Sequence, residues 1–169
     1  MSSSEPRSGA VIVASTSAAA GVALDTTGPV IARWLNDYGY HTGTPHVVAD
    51  GTEVGQALKA ALVGTPSVII TTGGTGVSPD DTTPEETVVL LDIQIPGIIE
   101  EIRRRGVGVT PIAILTRGVA GFAGNTLIVN LPGSPGGVDD GLAVLAPVLD
   151  HLVQQRTGRK GHSGRANHS

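Results

Sequence analysis

Branched apolar side chains stand at consecutive positions in Val11-Ile12-Val13, in Val68-Ile69-Ile70 and in Leu127-Ile128-Val129. Successive side chains of a strand point to opposite faces of a sheet, so these runs have no side suited to water. A sheet built from them must be covered twice. Helical patterns supply the cover. From Gly28, apolar residues fall at Val30, Ile31, Trp34, Leu35 and Tyr38, one stripe that Gly39 ends. Val54, Ala57, Leu58, Ala61 and Leu62 make a second stripe, stopped by Gly64 and Pro66. A third helix is expected from Thr83, with Thr83 as N-cap, Pro84 in the first position and Glu86 completing a capping box. Another is expected over Ile98–Arg105, and a closing helix carries Leu142, Leu145, Leu149, Leu152 and Val153. His46-Val47-Val48 and Ile112–Leu115 read as further strands, and Gly118–Asn125 as a turn or short hairpin. This alternation predicts a three-layer α/β/α sandwich with a mostly parallel central sheet.

The 169 residues suit one domain, expected over 10–155. Ser-rich residues 1–9 and the basic tail 156–169 are expected to be disordered. The aromatic residues are only Trp34, Tyr38, Tyr40 and Phe122, so Val, Ile, Leu and Ala must build the core. Tyr38, Tyr40 and Phe122 are candidates for a partly apolar surface. Cysteine is absent, which excludes disulfides, a thiolate nucleophile and a thiolate metal site. His41 and His46 are expected at the surface or a strand edge. Without the tail the chain holds 7 basic and 15 acidic residues, a net of −8. Such an acidic body with few aromatics argues against a nucleic-acid surface. No stretch is long enough to span a membrane and no cationic leader precedes an apolar one, so the expected setting is cytoplasmic, with no membrane partner.

In open parallel sheets, ligands bind at the carboxyl ends of the strands. The loops expected there are Ser15–Thr27, Asp50, Gly73–Thr83, Arg117–Gly121 and Pro132–Gly137. Gly73-Gly74-Thr75-Gly76 offers backbone N–H groups that can wrap a phosphate, or it is simply a tight turn. Asp80 and Asp81 follow. Adjacent carboxylates repel unless exposure or a cation relieves them, and a magnesium ion accompanying a polyphosphate provides that relief. The other reading places them there for the coming helix dipole. Asp50 begins a segment, Asp50–Glu53, that equally forms a capping box for the second helix. Asp25 is a cap or turn residue. Arg117 suits either a ligand phosphate or a surface ion pair. Two prolines and three glycines in Leu131–Gly137 exclude regular structure and make a rigid turn with one hydroxyl, Ser134. Neither a P-loop nor a dinucleotide glycine fingerprint is present.

Together these segments resemble the Mog/MoaB-type molybdopterin adenylyltransferases, a family that includes the G domain of gephyrin, and the pattern is nearest the Mog branch. The matching segments are Thr72–Gly76, Asp81-x-Thr83-Pro84-Glu85-x-Thr87, Ile95-Pro96-Gly97, Leu115-Thr116-Arg117 and Asn130–Pro135, with Asp25-x-x-Gly28-Pro29 and Asp50. The resemblance implies transfer of AMP from ATP to the molybdopterin phosphate with release of pyrophosphate, dependence on Mg²⁺, a homotrimer, and hand-over to a molybdenum insertase. It makes Asp50 and Asp81 the essential acidic pair and metal ligands. Gly73, Gly74, Thr75 and Gly76 would hold nucleotide phosphate, Pro132, Gly133, Ser134 and Pro135 would help shape the pterin pocket, and Ser78, Asp80 and Arg117 complete the binding residues. The chain departs from the pattern at Gly121–Asn125, where many relatives carry a basic residue, and at Gly136-Gly137, where relatives often have lysine. A non-catalytic molybdopterin carrier or scaffold is the alternative reading. The acids Asp50, Asp80 and Asp81 favour the enzyme, since a pure binder of anions gains nothing from them.

Overall fold

The computed structural model describes residues 6–158. The disorder expected of residues 1–5 and of the tail from residue 159 lies outside the described residues. Seven strands are present among the described residues: β1 (Ser8–Ala14), β2 (His41–Thr42), β3 (His46–Val48), β4 (Val68–Thr72), β5 (Ile93–Gln94), β6 (Ala120–Ala123) and β7 (Thr126–Leu131). The helices are α1 (Thr16–Ala19), α2 (Gly28–Asp37), α3 (Thr52–Val63), α4 (Thr83–Val88), α5 (Pro96–Val107), α6 (Pro135–Leu145) and α7 (Leu149–Arg156). The sheet runs β2-β1-β4-β7-β6-β5, with β3 joining β1 beyond the residues that β2 pairs. Strands β1 to β4 and β7 are mutually parallel, and β6 is antiparallel to both its neighbours. Ser8 and Gly9, expected to precede the ordered chain, already pair with His41 and Thr42.

The consecutive apolar runs divide between two cores as the two-residue period requires. Val11, Val13, Val68, Ile70, Leu127 and Val129 pack against α2, α5, α6 and α7. Ile12, Ile69 and Ile128 pack against Val54, Ala57 and Leu58 of α3. Helices therefore cover both faces, as the sequence pattern predicts.

Four expectations fail locally. Ile112–Leu115 is no strand: Pro111–Leu115 forms a 3-10 helix with Ile112, Ile114 and Leu115 exposed. Proline at its start cannot donate to a ladder, and the place beside β7 is taken by β6, the first arm of a hairpin that turns at Gly124-Asn125. The closing helix is two, because Pro147 cannot continue α6 and restricts the residue before it. Tyr40 and Phe122 are buried in the larger core and only Tyr38 is surface-exposed. Thr83 does not cap α4: the cap position is Thr82, no side-chain cap bond forms, and Glu86 leans over Gly55 of α3 instead.

Candidate functional site

The carboxyl ends of β1, β4 and β7 are drawn together by glycines. Gly73, at φ +88°, follows β4 directly, and a Cβ there would collide with the Ala14 carbonyl at the end of β1. A Cβ on Gly133, just after β7, would meet the Gly73 Cα at 3.2 Å. Gly73 N–H donates to the Leu131 carbonyl at 3.2 Å and Thr72 Oγ1 to the Pro132 carbonyl at 2.8 Å. Backbone approach this close is what a side chain would forbid. It places Gly73–Gly76 beside Pro132–Pro135, two segments 60 residues apart in sequence at the Thr72–Pro132 bond.

The carbonyls of Gly74, Thr75 and Gly76 are taken by protein donors. Thr83 N–H reaches the Gly74 carbonyl at 3.2 Å, Arg117 N–H the Thr75 carbonyl at 2.8 Å, and Arg117 Nε the Gly76 carbonyl at 2.8 Å. The N–H groups of Gly74, Thr75, Gly76 and Val77 pair with no acceptor among the described residues. Both acids of the expected pair lie against this loop. Asp50 Oδ1 is 3.0 Å from where a Gly74 Cβ would stand, and Asp81 Oδ2 is 2.7 Å from the same point on Gly76.

Asp50 is not the cap of α3. Gly51, at φ +103°, occupies that position, and the Asp50 carboxylate turns to the end of β1, accepting from Thr16 N–H at 3.2 Å and Thr16 Oγ1 at 3.1 Å. Only Oδ2 is used, which leaves Oδ1 facing the loop. Asp81 Oδ2 accepts from Ser78 N–H at 3.0 Å, closing a small turn, while Asp80 is exposed. The Thr83 hydroxyl is buried with no partner, pressed against the Gly74 Cβ position. The Thr82 hydroxyl is buried without a partner as well; a buried unpaired hydroxyl is costly, and that of Thr83 shares the Gly74 Cβ position with Asp50. Sequence reasoning missed Thr16 and took Thr83 as a cap and as a position of the family motif. The one available signal for Thr16 was a hydroxyl close behind a buried strand.

Arg117 sits under the loop. Besides Thr75 and Gly76 it reaches the Asp81 carbonyl through Nη2 at 2.7 Å and forms an ion pair with Glu85. That guanidinium holds the Glu85 carboxyl below the usual range. Asp25 Oδ1 accepts from Thr27 and Gly28 N–H at 3.2 and 3.0 Å, so it ties down the start of α2. A Gly28 Cβ would collide with Asp25 Oδ2, which explains their spacing.

Regular structure begins earlier in Leu131–Gly137 than its composition suggests. Ser134 is the N-cap of α6, accepting from Gly137 N–H at 3.1 Å, and Pro135 is the first helical residue, where its missing N–H costs nothing. A cavity of about 380 Å³ lies between this turn, α5 and the 3-10 helix, with Ile102, Ile112, Thr116, Pro132, Ser134 and Asp139 in its wall. A smaller polar cleft of about 180 Å³ lies on the other side of Gly73, between Ser15, Asp25, Thr27 and Gly133. The Gly121–Asn125 departure falls at the opposite end of β7 from both, where Arg156 Nε binds the Gly124 carbonyl at 2.9 Å.

Residues 10–151 match the family described as probable molybdopterin binding domain. The chain belongs to that family. Within it, the Mog/MoaB-type proteins are its structural neighbours. The Mog protein of Mycobacterium ulcerans is 55% identical, with a TM-score of 0.85, covering 89% of this chain and 99% of that one. A MogA structure is 57% identical, with a TM-score of 0.87 and the same coverage. The molybdopterin adenylyltransferase of Helicobacter pylori J99 is 33% identical over 147 residues, 85% of this chain and 84% of its own. A molybdenum cofactor biosynthesis bifunctional protein of Synechococcus elongatus is 39% identical over 144 residues. The chain spans about half or less of the length of the first curated relatives it matches. This molybdopterin-binding-domain member shares the Mog fold along nearly all its described length.

Proposed function

We propose that the chain is a cytoplasmic, magnesium-dependent molybdopterin adenylyltransferase that transfers AMP from ATP to the molybdopterin phosphate, releases pyrophosphate and passes its product to a molybdenum insertase. The observation that carries this reading is the glycine loop itself: every carbonyl from Gly74 to Gly76 is engaged, the amides of Gly74 to Val77 have no acceptor among the described residues, and Asp50 and Asp81 flank it. Free amides bind phosphate oxygens. An oxygen of the pterin phosphate forms a bond to the α-phosphorus of ATP as the bond to the bridging oxygen breaks, and pyrophosphate leaves with that oxygen. Such a step needs placement and charge neutralisation rather than a protein nucleophile. The loop amides fix the triphosphate, Ser78 N–H holds the Asp81 carboxylate, and the Thr16 hydroxyl and amide hold that of Asp50. Asp80 is exposed and is kept among the binding residues.

No group of three or more acidic or histidine side chains suited to a metal occurs among the described residues. Two carboxylates with open oxygens fit magnesium nonetheless, because it prefers one or two carboxylates completed by water and phosphate. The Thr83 hydroxyl, unpartnered beside Asp50, is a further hard oxygen of the right kind. Asp50 and Asp81 would hold the magnesium, which would neutralise triphosphate charge when bound. The cavity bounded by Pro132 and Ser134 has apolar walls and a size suited to a pterin ring. Exposed Ile112, Ile114 and Leu115 beside that cavity support an apolar contact between copies of the chain, and the family resemblance makes the assembly a homotrimer. Incubating pure protein with molybdopterin, ATP and Mg²⁺ tests the reading: adenylyl-molybdopterin and pyrophosphate must appear. Tight pterin binding without either product would establish the carrier instead.

A further inference from the structure

Arg117 stands out because it binds so much of one loop. Its backbone N–H holds the Thr75 carbonyl at 2.8 Å, Nε the Gly76 carbonyl at 2.8 Å, Nη2 the Asp81 carbonyl at 2.7 Å, and Nη1 the Glu85 carboxylate. The neighbouring Thr116 hydroxyl meets the Thr75 hydroxyl at 3.0 Å, and the Thr116 carbonyl is itself held by Arg103 Nε at 2.8 Å. A planar trans peptide carries its C=O and N–H in opposite directions. Fixing the Thr75 carbonyl on Arg117 therefore turns the Gly76 N–H away, and fixing the Gly76 carbonyl does the same for Val77. These are amides that lack an acceptor among the described residues. The contact at Asp81 pins the backbone from which the carboxylate projects.

We propose that Arg117 is a positioning residue, acting through the glycine loop and the Asp81 backbone, rather than the ligand of a substrate phosphate. This deepens the reading of the site given above and rests on it. The guanidinium is suited to the task because its rigid fork spans three acceptors at set angles; an ammonium has the charge without the fork. Its own charge is met by Glu85, so it adds little net attraction for a phosphate.

The full-length Arg117→Lys and Arg117→Ala variants test this. Two properties are measured without nucleotide: exchange of the bonded loop amides Gly73, Ser78, Asp81 and Thr83, and Mn²⁺ affinity by electron paramagnetic resonance. ATP affinity is measured separately. If Arg117 positions the loop, Arg117→Lys melts near the wild-type temperature, exchanges roughly tenfold faster at those four amides alone, and binds Mn²⁺ roughly tenfold more weakly. A phosphate ligand behaves otherwise. Removing a cation near the acids leaves Mn²⁺ affinity equal or tighter, loop exchange stays as in wild type, and only ATP affinity falls; that pattern overturns the proposal. Faster exchange across the whole chain in both variants also overturns it, since Arg117 would then hold the fold rather than the loop. If wild-type protein binds no Mn²⁺, the metal part of the proposed function fails, and loop exchange alone decides the role of Arg117.

Discussion

The Thr83 hydroxyl is fully buried yet bonded to nothing among the described residues, whereas the adjacent Thr83 N–H is satisfied by Gly74. Valine has nearly the same shape and no polar atom. Thr83→Val is therefore expected to stabilise the ligand-free protein by about 1 kcal/mol, by removing an unpaired group, and to weaken Mg·ATP binding. Urea titration and calorimetry measure both; a destabilised variant with intact binding would mean that the hydroxyl has an internal partner. For the two acids, the side-chain geometry leaves the asparagine variants able to fold. The single amide oxygen of an asparagine can still accept from Thr16 in one variant and from Ser78 in the other. Asp50→Asn and Asp81→Asn should keep the wild-type denaturation midpoint and lose product formation by roughly 10²-fold or more. Turnover close to wild type at saturating Mg²⁺ would remove either residue from the metal site. Asp81 stood out in the sequence by its place after the glycine loop, with the coming helix dipole as its other reading. Asp50 was ambiguous, since a cap and a metal ligand use the same side chain, and only the turn toward Thr16, 34 residues earlier, separates them.

At the scale of elements, Ile112–Leu115 and Ala120–Ala123 invert what their composition suggests. The apolar run is an exposed 3-10 helix and the small, glycine-containing run is buried strand β6. Strand pairing depends on what lies beside a segment. Gly121 is required because the Ile93 carbonyl of β5 stands against the place its Cβ would take. Gly121→Ala should cost about 1–3 kcal/mol by forcing β5 from β6, read as a lower denaturation midpoint. An unchanged midpoint would show that β5 is free to move aside. The helices α2, α3 and α5 were legible because a 3.6-residue stripe is local, and Gly39, Gly64 and Pro96 punctuate it.

At the scale of the molecule, the first and last described elements are tied together. Arg7 Nη1 reaches Asp150 Oδ1 at 2.9 Å, and Tyr40 donates to the same oxygen at 2.6 Å. Burial, followed by the bond to Asp150, raises the Tyr40 phenol well above its ordinary range. The sign follows directly. A raised folded value means that the unfolded chain loses the proton first, so the contribution is complete below about pH 10 and is lost as pH rises beyond it. Tyr40→Phe should therefore flatten the fall in stability measured by denaturation between neutral and strongly alkaline pH. A fall as steep as in wild type would assign it to other groups. For assembly, light scattering on the pure protein should give about three times 17.1 kDa at micromolar concentration. A concentration-independent monomer would count against the trimer.

Sequence alone determined what is local or periodic. Uninterrupted apolar runs demanded a doubly covered parallel sheet, helical stripes supplied its layers, and a glycine loop with nearby acids at a strand end pointed to the candidate site. Tertiary structure decided what depends on residues distant in the chain. It chose β6 over Ile112–Leu115 as the strand beside β7, turned Asp50 from a cap into a partner of Thr16, and placed Arg117 under the loop. The reason is physical: propensity and periodicity act within a few residues, whereas the partner of a carboxylate or a carbonyl is set by which strand ends the sheet brings together.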